Sequence, residues 1–483
     1  MIIPRGDETA IRCGDESLSY EELARARDQV AGGLSDSGIE RGDRIALLMP
    51  NTLDLVTALL GCWALGAVAV PVNTRFRAPE VSAAIALSGA QTLIFHPDLE
   101  AAAPGDLQRE WRVEPGGEWS RAASSPARNF ARPAPEAPAL ILFTSGSTAA
   151  PKGVTHSFET LAATIAKQAA VQQMGPGDVN LISLAMCHVA GLLGQLLPTL
   201  LAGGQCVLHA GFDAGEVAAE VERSQVTRIQ LLPSQLADLL DVAGDCGADL
   251  TSIRSCIAGG DRVPPALHER FRQLTGAEVA EVCGMTECFN YSMNEPFGPK
   301  RPGSIGRPTP GNEIRVVDEA GEALPAGRRG QMIVRSPSTM IGYWGNEPET
   351  CRALRDGWLQ TGDVGRFDDQ GWLWFVGRQK DLIIRAGSNV SPGEVEAVLL
   401  KHPAVSQACV VGVPDDRLGQ RVGAWVLPAV GAELMLDQIR DFLSDQIAEY
   451  KMPEYLWLLS EMPTNPVGKI DRANLKLRAA ESV

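Results

Sequence analysis

From Ser19 to about residue 380, helix signals alternate with short apolar strands, and that alternation is what most constrains the fold. Ser19, followed three residues later by Glu22, predicts an N-capped helix through Leu34; RIALLMP then reads as a strand. Asn51 is expected to cap the next helix, AVAVPV follows as a strand, and Ala78 to Leu87 is helical before TLIFH. Parallel strands need a crossover between them, so repeated βα units imply doubly wound sheets with helices on both faces.

Two uncharged runs test this reading. Leu55 to Thr74 is broken by Gly66 and Pro71, and Val179 to Phe212 by Pro198 and Gly203-Gly204. A membrane span needs ~20 unbroken apolar residues, so each run is read as a buried helix and a short strand. Residues 100–138 are rich in Pro, Ala and Arg and predict an irregular connection. After Gly303, short strands with Gly turns predict a small antiparallel barrel or sheet, and from Asp381 a self-contained α+β unit follows. The expected class is α/β: a multi-lobed N-terminal domain over 1–379 and a small mobile α+β domain over 380–483.

A chain of 483 residues exceeds one hydrophobic core. Its net charge of −16 opposes diffuse binding to nucleic acid or anionic membrane, so any phosphate needs a local site. Ten cysteines, scattered singly, suit reduced thiols better than a disulfide framework or zinc site. The opening residues carry no signal-peptide pattern, and a cytoplasmic location is expected.

Phe143 to Val154, directly after the apolar run ALILF, reads FTSGSTAAPKGV. Hydroxyls, backbone N–H groups and one Lys in a loop after a strand suit a polyphosphate, although the spacing is not that of a Walker A loop. Four more segments follow in order: GMTE at 284–287, TGD at 361–363, GRQKDLIIRAGSNVSPGEVE at 377–396 and NPVGKIDR at 465–472. Together they resemble the adenylate-forming superfamily of acyl-CoA synthetases, peptide-synthetase adenylation domains and firefly luciferase. The resemblance runs from SYEEL at 19–23 to GKIDR at 468–472.

The resemblance implies that a carboxylate attacks the α-phosphate of ATP, and that a thiol then displaces AMP from the acyl-adenylate. The first step brings two anions together and calls for Mg²⁺ and fixed cations. On the matching positions, Thr144, Ser145, Gly146, Ser147, Thr148 and Lys152 cradle phosphates, Thr286 meets the α-phosphate, and Glu287 ligates Mg²⁺. Gly260, Asp261, Arg262, Glu281, Cys283, Gly284 and Met285 line the adenine, while Asp363 and Arg378 hold the ribose. By the same resemblance Lys469 is expected to bridge the substrate carboxylate and α-phosphate, Lys380 to be the hinge, and Gly387 and Arg75 to serve coenzyme A. His188 stands at the mouth of an acyl pocket walled by Val189, Leu192, Leu193, Ser234, Ala258, Gly259, Gly284 and Cys288.

In the peptide-synthetase domains of the family this region carries an Asp that pairs with the substrate's amino group; none lies between Leu181 and Leu201 here, and these walls carry no cation for a second carboxylate. A hydrophobic monocarboxylic acid is therefore the expected substrate. Ala149 replaces a Gly of the phosphate loop, Cys283 replaces an aromatic that stacks on adenine, and Leu418 replaces a Trp found against coenzyme A in some ligases. The alternatives are a ligase loading a phosphopantetheinyl carrier protein and a catalytically weak acyl- or nucleotide-binding protein. Arg75 favours free coenzyme A over a carrier. Oligomeric state is not legible.

Overall fold

The computed structural model describes residue 4 and residues 6–482, except 106, 145–151, 262, 386–387, 416–417, 445 and 467; the side chains of 388 and 389 are also outside the description. The chain forms two compact units. One holds residues 1–302, 306–313 and 334–359; the other holds 303–305, 314–333 and 360–483.

The larger unit is built on two predominantly parallel sheets. In one, Arg109–Arg112, Thr92–Phe95, Arg44–Leu48, Val68–Pro71 and Pro138–Thr144 lie in that order and run parallel. Lys152–Ser157 then returns antiparallel. In the other, Val279–Met285, Ser255–Gly259, Arg228–Leu231, Val179–Ile182, Gln205–Leu208 and Thr9–Cys13 are parallel neighbours. Strand Cys288–Met293 doubles back antiparallel on Val279–Met285. Helices such as Tyr20–Asp36 and Leu53–Leu65 bury their apolar residues in the core between layers.

Local chemistry accounts for the helix ends. The Ser19 hydroxyl accepts from Glu22 N (3.2 Å) while Glu22 Oε2 accepts from Ser19 N (2.8 Å), the reciprocal box expected from the sequence. The next helix is capped by Thr52, not Asn51. Asn51 is buried and engaged elsewhere: its amide donates to Leu184 O (3.0 Å) and its oxygen accepts from Met186 N (2.9 Å). It thereby fixes the segment leading into His188.

The first run forms a helix and a strand as expected; the second begins with the additional strand Val179–Ile182, ahead of the turn Ala190–Leu196, helix Leu197–Ala202 and strand Gln205–Leu208, and among the described residues no helix is long and apolar enough to cross a membrane. The connection over 100–138 is more regular than expected. Arg109–Arg112 adds an edge strand, and Glu118–Ala123 is a helix anchored by buried Trp119, whose Nε1 donates to Asp54 Oδ1 (2.6 Å).

In the smaller unit, the part of strand Trp358–Phe367 from Gln360 onward pairs antiparallel with Leu373–Arg378. Gly419–Pro428 has Val405–Asp415 on one side and Ile383–Arg385 on the other, with Tyr455–Leu458 parallel to it. Helices Pro392–Leu399, Leu436–Ser444 and Arg472–Glu481 accompany this sheet; Trp425 Nε1 donates to Leu475 O (3.0 Å), tying the last of them down.

Candidate active site

In the larger unit the ends of the phosphate-loop hairpin face each other, Thr144 in register with Lys152. Ser145, Gly146, Ser147, Thr148 and Ala149, between them, lie outside the described residues, as do Arg262 and Gly387. Lys152 pairs with Glu349, and its Nζ stands 5.1 Å from the Tyr343 ring centroid. The hydrogen bond from Lys152 is the main reason the Glu349 carboxyl titrates below its usual range.

Tyr343 reaches the other way as well. Its hydroxyl donates to Glu287 Oε1 (2.7 Å), and Glu287 is buried, its backbone oxygen accepting from Met340 N (2.7 Å). Burial, then the Glu287 charge, push the Tyr343 phenol well above its ordinary value, so it stays a donor. One ring thus separates a lysine at the phosphate loop from a buried hard-oxygen carboxylate.

Thr286 is held from behind. Fully buried His156 meets Thr286 O at 2.9 Å through Nε2, and Thr160 Oγ1 lies 3.4 Å from its Nδ1. A carbonyl only accepts, so Nε2 carries the proton. Burial pushes the His156 pKa down to about 4, which keeps the ring neutral.

The adenine and acyl candidates occupy neighbouring parallel strands, Ala258 and Gly259 pairing with Glu281 and Val282. Buried Glu281 lies 3.1 Å from His268 Nε2. Gly260 and Asp261 are exposed just beyond that strand. Gly284 and Met285 are half-buried, and Cys288 is buried. Cys283 Sγ sits 3.0 Å from the hydroxyl of buried Tyr291.

His188 is half-buried at the start of a widened, π-helical turn over Ala190–Leu196, and Leu192 N donates to its carbonyl (3.2 Å). Such turns are frequent at functional sites. Leu192 and Leu193 are buried and Val189 half-buried, whereas Ser234 is exposed in the first turn of Pro233–Cys246. Exposed Arg75 is close enough for its charge to oppose the rise of the Cys187 thiol, which burial pushes up to about 12.

In the smaller unit Asp363 and Arg378 are paired strand partners, with Nε 3.1 Å from Oδ1 and Asp363 buried. Thr361 Oγ1 accepts from Asp363 N (3.0 Å), fixing the turn of TGD. Lys469 ends a tight loop in which Asn465 N donates to Lys469 O (2.7 Å) and Asn465 Oδ1 accepts from Lys469 N (3.1 Å). Lys380 is exposed in the short turn Gln379–Asp381.

Several residues of the site were not singled out from sequence. His156 and Tyr343 sit in THS and GYW, where alternation and turn residues hide a polar role. Lys167, on the helix Phe158–Val171, is buried and donates from Nζ to Phe289 O (2.9 Å). Burial lowers its pKa, so the region behind Glu287 does contain a lysine that the expected pocket walls omitted.

The AMP-binding enzyme model matches residues 4–344, and the AMP-binding enzyme C-terminal domain model matches 394–469. Feruloyl-CoA synthase from Amycolatopsis sp is 34% identical over 482 residues, covering 97% of this chain and 96% of that protein. Fatty acid–[acyl-carrier-protein] ligase ScoC from Streptomyces coeruleorubidus is also 34% identical, over 488 residues, covering 97% and 93%. Among solved structures, the anthranilate CoA ligase AuaEII in complex with anthranoyl-AMP superposes with a TM-score of 0.92 at 28% identity, covering 99% of this chain and 95% of that one. With fold, motifs and likeness agreeing over nearly its whole length, the chain belongs to the AMP-binding enzyme family and is an AMP-forming acid–CoA ligase by kind.

Proposed function

We propose that this protein activates a carboxylic acid with a mainly apolar body as its acyl-adenylate, then transfers the acyl group to coenzyme A. The observation that carries the reading is the Lys152–Tyr343–Glu287 arrangement. It sets a lysine over the ring of one tyrosine and a buried carboxylate at its hydroxyl, with Thr286 held next to that carboxylate by His156.

Glu287 fits a magnesium ion. It is a hard oxygen donor, and among the described residues no group of three acidic, His or Cys side chains makes an all-protein cage. A single carboxylate beside polyphosphate oxygens and water is the usual Mg²⁺ environment. Bound there, the ion would neutralise charge on the phosphates. Lys152 serves the same end from the hairpin, and the Thr286 hydroxyl contacts the α-phosphate. Asp363 accepts from the ribose hydroxyls with Arg378 beside it, and Gly260, Asp261, Glu281 and Met285 line the base. Lys469 supplies charge to the acid and α-phosphate oxygens in the adenylating step.

His188 and the turn after it border the acyl pocket, and Arg75 meets the coenzyme. Residues 1–379 and 380–483 are assigned as the two functional domains, with Lys380 as hinge. Ten free cysteines support a reducing, cytoplasmic setting. A carrier-protein acceptor is the second reading, supported by the likeness to ScoC.

The test is pyrophosphate and AMP release from ATP with a panel of acids, run with coenzyme A and with a phosphopantetheinylated carrier. Thioester on coenzyme A is expected. No pyrophosphate with any acid would overturn the reading, and product on the carrier alone would replace the acceptor.

A further inference from the structure

Glu287 is only 7% exposed, yet its carboxylate is half satisfied. Oε1 accepts from the Tyr343 hydroxyl (2.7 Å), whereas Oε2 accepts from no described residue and no described cation pairs with the group. A buried carboxylate ordinarily collects several hydrogen bonds or a counter-ion. Here one oxygen is taken by the fold, and the other is left for a cation from outside the chain.

Tyr343 is fixed before it meets that carboxylate. It stands in register with Val154 of the strand that begins at Lys152, and Ile341 N donates to Thr155 O (2.9 Å) and Trp344 N to Gly153 O (2.7 Å). Its own N–H donates to Thr350 Oγ1 (2.9 Å), and the Lys152 ammonium lies over its ring. The same segment holds the backbone of Glu287, whose oxygen accepts from Met340 N (2.7 Å). Main chain and side chain of Glu287 are thus both held from residues 340–343, which decides which oxygen is occupied.

We propose that Tyr343 is a positioning residue: by occupying Oε1 it limits Glu287 to a single-oxygen grip on the metal, so that the site selects Mg²⁺ over Ca²⁺. This rests on the magnesium reading above. Mg²⁺ demands a near-ideal octahedron at ~2.0–2.1 Å and keeps several waters, so one carboxylate oxygen suits it. Ca²⁺ takes roughly 6–8 oxygens in looser geometry and accepts a carboxylate through both of its oxygens. Without the phenol, Oε1 becomes a second donor and the side chain is free to turn, and both changes favour the larger ion.

The experiment measures ATP binding to the full chain by titration calorimetry in excess Mg²⁺, in excess Ca²⁺ and in EDTA. Wild type is compared with Tyr343→Phe, which keeps the ring beneath Lys152 and deletes only the hydroxyl, and with Glu287→Gln. The wild type should bind ATP about tenfold or more tightly in Mg²⁺ than in Ca²⁺. Residues that orient a metal ligand usually carry about 10–100-fold in metal affinity, so Tyr343→Phe should narrow that ratio about tenfold, with affinity in EDTA changed less than about twofold. Glu287→Gln should lose the gain from either metal.

A merely structural phenol would weaken ATP alike in all three solutions, and that result would overturn the proposal. Equal affinity in Mg²⁺ and Ca²⁺ for the wild type would do the same without any variant. An unchanged ratio in Tyr343→Phe beside a lost gain in Glu287→Gln overturns the proposal alone. If Glu287→Gln keeps the full gain from Mg²⁺, the magnesium assignment itself falls, and the proposal with it.

Discussion

Neutral His156 makes a quantitative pH prediction. The ring is fully buried, donates to Thr286 O, and has its pKa pushed down to about 4 by burial, with the Lys167 charge opposing protonation further. In the unfolded chain a histidine titrates near 6.5. Because the folded value lies below the unfolded one, the contribution to stability is complete above pH 6.5 and is lost as pH falls towards 4. At pH 5.0 the unfolded imidazole holds a proton that the folded one refuses. One and a half pH units at about 1.36 kcal/mol each make that worth about 2 kcal/mol.

His156→Gln removes the titration while leaving an amide N–H for Thr286 O. Urea unfolding of both proteins at pH 7.5 and 5.0 should show a smaller acid penalty in the variant by about 2 kcal/mol. Imidazole NMR of the wild type should show one of the six histidines not titrating between pH 5 and 8. Equal acid penalties, or six imidazoles all titrating near 6.5, would refute the reasoning.

Other expectations rest on single residues. Lys469→Ala should slow adenylate formation by roughly 10²–10³, the usual loss for one strong charge contact in a preorganised site, yet spare thioester formation from a synthetic acyl-adenylate. Single-turnover assays of each half-reaction read this directly. Asp363→Ala should weaken ATP by roughly 10–100-fold in a binding titration, since charge-assisted hydrogen bonds carry about 1.5–3 kcal/mol each. Gly306→Ala should destabilise by about 2–5 kcal/mol in urea, because φ is +84° and a Cβ would fall 1.8 Å from the Met293 carbonyl carbon.

What the sequence disclosed and what it hid divide along physical lines. The helix Leu53–Leu65 and strand Val68–Pro71 were legible because an uncharged apolar run and its breaks at Gly66 and Pro71 are local signals. The helix Glu118–Ala123 was not, because what anchors Trp119 is Asp54, 65 residues earlier. Asn51 looked like a cap, and only the Leu184–Met186 backbone reveals why it is buried. Likewise the GMTE motif pointed to Glu287, while Tyr343, which holds it, comes from a turn-rich segment 56 residues on. Lys167 stood in plain view within FETLAATIAKQAAV, but a lysine on a helix usually extends into water, and its acceptor lies 122 residues away.

The pairing of Lys152 with Glu349 has a consequence for how selectively the hairpin accepts anions. Glu349 uses one of the three N–H donors of Lys152 and offsets its charge, so on the proposed reading an incoming anion meets a lysine already partly neutralised. A monoanion gains less from such a cation than from a bare one, whereas a polyphosphate would bring several charges to the remaining donors at once.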